Sequence, residues 1–140
     1  MELTRKTEYA IAILTELAEQ ESDRPLQSKE VGRRRNIPQS LVPRIVATLS
    51  NKGWIEGTRG VGGGIRLVVD PATISVLDVI ELIEGPIHIN YCLKSGQCAK
   101  ESRCLLHRVW VAAQEAMEGV FRRTTIAELC RPAADKDTAP

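Results

Sequence analysis

The sequence predicts a mainly α fold with one small β-hairpin, an α+β class. Apolar residues recur at helical spacing near both ends of the chain, in "EYAIAILTELAE" and in "VWVAAQEAMEGV". The stretch "WIEGTRGVGGGIRLVV" instead alternates as strands do, around a glycine-rich centre. These three observations together predict a helical body that carries a single hairpin.

Length and composition indicate one ordinary domain with an appended helix. The chain has 140 residues, 43% hydrophobic and only 4% aromatic, so we expect an aliphatic core. Its apolar runs are too short to cross a bilayer, and the charged start "MELTRKTEYA" does not resemble a signal peptide. We therefore expect a cytoplasmic protein without membrane contact. In that compartment a cysteine cluster favours a metal or redox site over a disulfide framework.

The first helix is predicted to follow Thr4, whose side chain can act as its N-cap. Apolar residues at helical spacing give this helix one buried face, formed by Ala10, Ile13, Leu14 and Leu17. The stretch "ESDRP" then ends it.

Two further helices are predicted to be joined by a tight turn. Ser28 opens the second helix, and Asn36 tolerates the left-handed backbone that such a turn requires. Gly53 ends the third helix, whose buried positions are Leu41, Ile45 and Leu49. Two helices with so short a connection predict a helix-turn-helix.

The start of the third helix depends on Pro43. If Ser40 is the N-cap, Pro43 falls in the first turn, where its missing N–H needs no partner. A start at Pro38 would place Pro43 deeper and kink the helix, so we prefer the first alternative. The outer face carries small and polar residues that can approach base edges, namely Gln39, Ser40, Pro43, Arg44, Ala47 and Thr48.

The predicted hairpin after a helix-turn-helix is a wing. Its tip, "RGVGGG", places Arg59 beside Gly60 and Gly62, whose missing side chains allow close approach to DNA. An arginine there suits a narrow minor groove. A nucleotide-binding loop is the alternative, but no Lys-Ser/Thr follows Gly64, and Ile65 stands where the dinucleotide motif needs its last glycine.

The net charge of +1 hides a local excess of basic residues. Residues 28–66 carry eight Lys and Arg against Glu30 and Glu56, an excess of six. This excess is typical of a surface that faces a polyanion, and a solvated face is the alternative. The eight are Lys29, Arg33, Arg34, Arg35, Arg44, Lys52, Arg59 and Arg66.

The C-terminal half is predicted to contain three helices. The first has Ser75 as cap and Gly85 as stop, and the last opens with a Thr125–Glu128 capping box. A long helix over about 102–122 carries an apolar stripe, which predicts a dimer interface or packing onto the first helix. Its members are Leu106, Val109, Trp110, Ala113, Met117 and Val120. We divide the chain into residues 1–70, residues 71–130 and a disordered tail, 131–140.

Three cysteines lie on a polar segment before the long helix. Cys92, Cys98 and Cys104 are six residues apart, and His107 follows three residues after the last. Four such ligands on a loop suit zinc or an iron–sulfur cluster, and the wide spacing favours the larger object. A metal-free disulfide switch and a structural zinc site are the alternatives. We expect no ligand role for Cys130, a helix-end thiol, or for His88, which is predicted to be packed.

The combination of "LTRKTEYAI", a helix-turn-helix, the wing "RGVGGG" and Cys-x5-Cys-x5-Cys-x2-His resembles the IscR/NsrR/RirA, or Rrf-two, family of winged-helix transcriptional regulators over residues 1–130. The resemblance implies a homodimer that binds a palindromic operator in double-stranded DNA, with an iron–sulfur cluster that alters DNA affinity. By position, it assigns the cluster to Cys92, Cys98 and Cys104.

The fourth ligand has two candidates under this resemblance. His107 falls where IscR-like members have the histidine ligand of a [2Fe–2S] cluster. Glu8 falls where NsrR-like members use a carboxylate, donated by the other subunit, on a [4Fe–4S] cluster. We favour His107, and with it [2Fe–2S], because its spacing brings it to Cys104 unaided. The third helix departs from the IscR pattern at Pro43 and Arg44, so the operator sequence cannot be transferred.

The sequence suggests two alternative classes of function. The first is a transcription factor, a repressor in our interpretation, in which Gln39, Ser40, Arg44 and the wing contact DNA and the cluster senses iron, redox or nitric oxide status. Its cluster-free variants are a thiol-based or a zinc-containing regulator. The second is a redox enzyme or cluster carrier. We do not expect an enzyme, because the chain has no Cys-x-x-Cys pair and no catalytic set near the cysteines, and no small-molecule substrate is evident.

Overall fold

A computed structural model describes residues 1–95 and 103–131, so Cys98 and the tail beyond Arg131 lie outside the described residues. Within these ranges the chain is mainly helical with one antiparallel hairpin, which confirms the predicted fold class. The elements are α1 (Arg5–Ala18), α2 (Ser28–Arg34), α3 (Val42–Lys52), β1 (Ile55–Thr58), β2 (Gly64–Leu67), a 3-10 turn (Pro71–Thr73), α4 (Val76–Glu84), α5 (Tyr91–Ser95), α6 (Leu105–Arg123) and α7 (Ile126–Leu129). No helix in the described ranges is long and apolar enough to span a membrane.

Helix α1 lies at the centre of the larger hydrophobic core. Ile13 and Leu14 are completely buried and cluster with Ile45 and Leu49 of α3, as their helical spacing predicts. This core is aliphatic, as the scarcity of aromatic residues predicts. Other elements each contribute buried side chains to it, namely Val31, Ile55, Ile65, Ile74, Val79 and Ile126.

A smaller core joins α4 to α6. Leu77, Ile80 and Ile87 are buried there, and Met117 and Phe121 of α6 pack against them. Helix α4 faces both cores, because its buried side chains lie on two sides of the helix. It therefore links the helix-turn-helix part of the chain to the C-terminal helices.

The N-terminus of α1 is capped by a carboxylate from another helix. Thr4 is the N-cap residue, but its side chain makes no cap hydrogen bond, which corrects the predicted role of its hydroxyl. Glu84, the last residue of α4, accepts hydrogen bonds from the Thr4 N–H at 2.8 Å and from the Thr7 hydroxyl at 2.6 Å, and a further one from the Thr4 hydroxyl. These hydroxyl donors lower the pKa of Glu84. A negative charge at this end of α1 is also favoured by the helix dipole.

The predicted helix ends are confirmed where side chains or backbone angles decide them. Asn36 has φ 53° and Gly53 has φ 87°, the left-handed backbone that each turn requires. Capping boxes form at Ser75, with Asp78, and at Thr125, with Glu128. Each of these short-range signals acts within one helical turn, so the local sequence is enough to predict it.

Helix α6 has one packed face and one exposed face. Met117 packs into the smaller core and Trp110 is half-buried, whereas Leu106, Val109 and Val120 are more than half exposed. The predicted apolar stripe is therefore divided: part of it packs within the chain and the rest is uncovered. The packed part of α6 lies against α4, whereas the alternative expected from the sequence is packing onto α1.

We predict that Glu84→Gln destabilises the fold by about 1 kcal/mol at pH 7, since a neutral amide is a weaker acceptor than the carboxylate. The lowered pKa of Glu84 means that the folded state favours its ionised form. This stabilisation is present above the ordinary carboxyl pKa of about 4.3 and is lost as the pH falls through the folded value. Urea unfolding at pH 7 and near pH 3 would measure the difference between the two proteins.

The matched control is Glu81→Gln, which removes the same charge one turn earlier, where the side chain is exposed. We expect it to change the free energy of unfolding by less than about 0.5 kcal/mol. Equal effects of the two substitutions at pH 7 would contradict the capping role of Glu84.

Candidate nucleic-acid interface and thiol segment

The turn between α2 and α3 begins with two backbone hydrogen bonds at the end of α2. After α2 ends, the Ile37 N–H donates to the Gly32 carbonyl at 2.8 Å, and the Asn36 N–H donates to the Arg33 carbonyl at 3.4 Å. This is the Schellman pattern, with asparagine in the left-handed position that glycine usually occupies. Ile37 is buried, so the chain leaves α2 directly into the core and turns into α3.

Gly32 lets α3 approach α2 closely. A Cβ atom at this position would lie 2.9 Å from Val42 Cγ2 and 3.0 Å from Gln39 Nε2. The Gln39 carboxamide itself donates to the Lys29 carbonyl at 3.1 Å. Gln39 therefore lies in the predicted interface, but its side chain contacts the backbone of α2.

Helix α3 begins one residue later than expected. Its N-cap is Leu41, while Ser40 lies in a preceding turn closed by the Leu41 N–H donating to the Pro38 carbonyl at 2.9 Å. That turn uses Ser40 as a middle residue, which is why the N-cap prediction for Ser40 is wrong. Pro43 lies in the first helical turn, as predicted, where its missing N–H leaves no hydrogen bond unmade.

The outer face of α3 is exposed over its first two turns. Pro43, Arg44 and Ala47 are exposed, while Val42 and Ile45 on the opposite face are buried. Arg44 makes no ion pair among the described residues. This face therefore combines short side chains with one long cation.

The wing is held at its base and open at its tip. Strands β1 and β2 pair in antiparallel register, and Leu26 forms a further bridge to Ile65 through hydrogen bonds of 2.9 and 2.8 Å. A Cβ on Gly64 would lie 2.5 Å from the Leu26 carbonyl oxygen, so this pairing requires a glycine. At the tip four consecutive residues are exposed, Arg59, Gly60, Val61 and Gly62.

The positive charge of this region is smaller than the sequence count indicates. Arg34 and Arg35 donate to Glu16 of α1 at 3.0 and 2.6 Å, and Arg35 also donates to Glu19 at 3.1 Å. Glu16 is only 9% exposed. The predicted excess of six therefore overstates the charge that faces solvent, because acids from outside residues 28–66 neutralise two of the arginines.

Two further arginines pair within the counted region. Arg33 donates to Glu30 at 2.9 and 2.6 Å, and hydrogen bonds from Arg33 and Arg34 lower the pKa of Glu30 to about 2. The hydrogen bonds to Glu30 raise the pKa of Arg33, and those to Glu16 and, second, to Glu30 raise the pKa of Arg34. On the wing, Arg66 donates to Glu56 at 2.7 Å. Of the eight basic residues in 28–66, those without an ion pair among the described residues are Lys29, Arg44, Lys52 and Arg59. The Lys52 ammonium lies 5.8 Å from the centroid of the half-buried Trp54 ring.

We call residues 92–107 the thiol segment. Cys92 lies on α5, Cys104 is the N-cap of α6, and His107 lies in the first turn of α6. The two thiols and the imidazole are half-buried, and α5 packs against α6. Cys98 lies outside the described residues, and no three His, Cys, Asp or Glu side chains in residues 1–95 and 103–131 come close enough to hold a metal ion.

The donors of the thiol segment fit a soft metal or cluster in their chemistry, since thiolate and imidazole are the ligands that zinc and iron–sulfur clusters take. Glu8, the alternative fourth ligand, is an exposed residue of α1, and its Oε2 lies 4.0 Å from Arg5 Nη1. The described residues supply two thiols and one imidazole toward such a group.

The sequence matches the Rrf2 family model, "Iron-dependent Transcriptional regulator", over residues 3–132. The chain belongs to the Rrf2 family. Its curated relatives include the HTH-type transcriptional regulator IscR of Vibrio vulnificus, which is 29% identical over 92% of this chain and 77% of the relative. This Rrf2 protein is therefore a transcriptional regulator and not an enzyme.

Solved structures agree with this assignment. CymR, the global cysteine regulator of B. subtilis, is 27% identical and superposes with a TM-score of 0.75 over 92% of this chain and 95% of that one. The T. potens IscR structure shares the fold with a TM-score of 0.72 at 22% identity, over 92% of this chain and 85% of that one. The winged-helix fold of the Rrf2 protein is thus shared with regulators of two different names.

Sequence reasoning missed three residues that shape this region of the Rrf2 protein. Glu16 lies on the polar face of an amphipathic helix, and Gly32 lies inside a helix. Neither residue is therefore part of a recognisable sequence motif. No sequence motif marks Gln114, yet its side chain is buried between α6 and the residues before Cys92. Each of the three depends on a partner at least seven residues away, which helical periodicity cannot identify.

We predict that Gly32→Ala destabilises the Rrf2 protein by about 1–2 kcal/mol, although alanine is the better helix former, because the added Cβ forces α3 away from α2. Gly57→Ala is the control, since its Cβ would meet no atom closer than 3.8 Å. Thermal unfolding of both variants would measure the effect. A Gly32→Ala protein as stable as the wild type would show that the two helices can separate at no cost.

Proposed function

We propose that this regulator binds double-stranded DNA as a homodimer, through α3 and the wing. The single observation that carries this proposal is the pair of exposed cations, Arg44 on α3 and Arg59 on the wing tip, that make no ion pair among the described residues while neighbouring arginines do. Free cations beside small side chains are the chemistry that phosphates and base edges recognise.

The proposed contacts follow from the position of each element. Helix α3 enters the major groove with Ser40 and Arg44 toward the DNA, while Gln39 contributes by fixing the start of α3 on α2. The wing tip approaches the minor groove with Arg59, and the missing side chains of Gly60 and Gly62 allow the backbone to come close.

The uncovered face of α6 supports the homodimer. Leu105 is 80% exposed, and Leu106, Val109 and Val120 are each more than half exposed. Large apolar side chains gathered on one helix are typical of a protein interface. A twofold dimer would place its two α3 helices in successive major grooves about 34 Å apart, so the operator is palindromic.

We further propose that the thiol segment holds an iron–sulfur cluster through Cys92, Cys98, Cys104 and His107. The IscR name of relatives and the ligand chemistry of the segment support this proposal. Glu8 of the second subunit is the alternative fourth ligand, and a [2Fe–2S] cluster is favoured over [4Fe–4S] because His107 is close in sequence to Cys104. When bound, a cluster supplies an oxidisable centre.

The proposed regulation passes through the elements around the thiol segment. The segment connects α5 to α6, and α6 packs on α4, which is bound to the N-terminus of α1 through Glu84. A change in the conformation of the thiol segment would therefore be transmitted to the helix-turn-helix through the packed helices α6, α4 and α1. A coupling of ~1–3 kcal/mol would shift operator occupancy usefully. We interpret the protein as a repressor.

Anaerobic purification followed by a visible spectrum and iron and sulfide analysis tests the cluster. We expect coloured protein with stoichiometric iron and sulfide, and we expect Cys98→Ala to lose both while remaining dimeric. Colourless protein with zinc would favour the structural-zinc regulator, and protein without metal after attempted reconstitution would favour a thiol-based regulator. Either result would overturn the cluster proposal and leave the DNA-binding proposal standing.

We predict that Arg44→Gln and Arg59→Gln each weaken DNA binding and reduce the slope of log K against log salt by about 0.9, if each side chain neutralises one phosphate. Arg122→Gln is the control, because it removes the same charge from α6, outside the helix-turn-helix and the wing. Fluorescence anisotropy on a palindromic duplex at several salt concentrations would measure the slopes. Equal slopes for all three variants would place the phosphate contacts elsewhere.

A further inference from the structure

The chain between α4 and the first cysteine has no regular secondary structure. Residues 85–90 belong to neither helix nor strand, and between Gly85, which closes α4, and Asn90 the backbone lacks the regular partners of a helix or sheet. Ile87 is nevertheless buried in the smaller core. At its far end Asn90 caps the start of α5, since its side-chain oxygen accepts the Cys92 N–H at 3.4 Å and its carbonyl accepts the Leu93 N–H at 3.0 Å.

Gln114 of α6 binds this backbone with both ends of its carboxamide. Its Oε1 accepts the Ile89 N–H at 2.8 Å, and its Nε2 donates to the Ile87 carbonyl at 2.7 Å. Its second amide hydrogen serves Glu118 Oε1, with a nitrogen-to-oxygen distance of 2.7 Å. Gln114 is only 9% exposed and is the buried residue of α6. A donor and an acceptor side by side on one carboxamide reproduce the pairing that a neighbouring strand would offer.

These contacts join the residues just before the thiol segment to the helix that follows it. Ile89 precedes Cys92 by three residues, and Gln114 follows His107 by seven, which is two turns further along the same face of α6. One side chain therefore fixes residues 87–89, which precede Cys92, onto the helix that carries His107. The separation of Cys92 from Cys104 and His107 depends on that fixed point.

We propose that Gln114 is a positioning residue of the thiol segment, which holds Cys92 in place relative to Cys104 and His107 on α6. The inference rests on the proposed function of the segment, since it concerns how the proposed ligands are arranged. It assigns Gln114 no contact with the ligand. Its consequence is visible in the protein without any cluster, because the hydrogen bonds are made by the chain alone.

The test is the alkylation rate of each cysteine in anaerobic, metal-free protein, resolved by peptide mass spectrometry with iodoacetamide. Gln114→Met keeps the length of the side chain and removes both backbone contacts. We expect Cys92 to react about fivefold faster or more, because local opening around Cys92 no longer breaks the two hydrogen bonds to Gln114. Cys130 is the internal reference, since it lies at the end of α7 with its thiol on the Ile126 carbonyl at 3.3 Å.

Glu118→Gln is the matched control, because its side chain can still accept from Gln114 while both backbone contacts remain. Gln114→Leu is the second variant: it removes both backbone contacts with an uncharged side chain, so we expect the same acceleration of Cys92. If far-UV circular dichroism shows that Gln114→Met does not fold, Gln114→Leu replaces it in the test.

An unchanged Cys92 rate in folded Gln114 variants would overturn the inference, and so would equal acceleration of Cys92 and Cys130, which would show general loosening. Failure of the proposed function looks different, because wild-type protein would then take up no iron and sulfide whatever its alkylation rates. In protein that does take up a cluster, we also expect the visible circular dichroism of Gln114→Met to differ from that of the wild type, while Glu118→Gln matches it.

Discussion

The burial of α1 is the constraint on which the rest of the molecule depends. Its apolar face packs against α3 and the wing on one side and against α4 and α7 on the other, so a single helix positions both halves of the chain. The fixed relation between α3 and the wing follows, because both lie against the same rigid support. A tightly packed aliphatic core of this kind transmits small displacements instead of absorbing them.

Charge around the helix-turn-helix serves two separate purposes. Arginines at the end of α2 bind Glu16 and Glu19 and so fasten that helix to α1, whereas Arg44 and Arg59 are exposed and make no ion pair among the described residues. Since an ion pair with a largely buried acid is costly to break, the first group is unsuited to exchange its partner for a phosphate. The contiguous arginines of α2 are thus structural, while the proposed DNA contacts fall on the isolated ones, Arg44 and Arg59.

Much of the fold was predictable because its signals are local. Helical spacing in α1 and α3, the left-handed Asn36 and Gly53, and the capping boxes at Ser75 and Thr125 are each fixed within a few residues. The cap of α1 was not predictable, since its acceptor, Glu84, is 80 residues away. The charge count failed for the same reason: the acids that neutralise α2 belong to another helix. The ligand set of the thiol segment stays a prediction, because Cys98 lies outside the described residues.

The two tryptophans of the chain lie in different regions. Trp54 packs between α3 and the wing under the Lys52 ammonium, and Trp110 lies on α6 three residues beyond His107, both half-buried. Each indole therefore lies near one end of the proposed path of coupling, Trp110 beside the thiol segment and Trp54 beside the proposed DNA-binding surface. A protein with a single indole at either site, the other replaced by phenylalanine, would let emission spectra follow each end separately, and comparing their time courses would show the order in which the two ends respond.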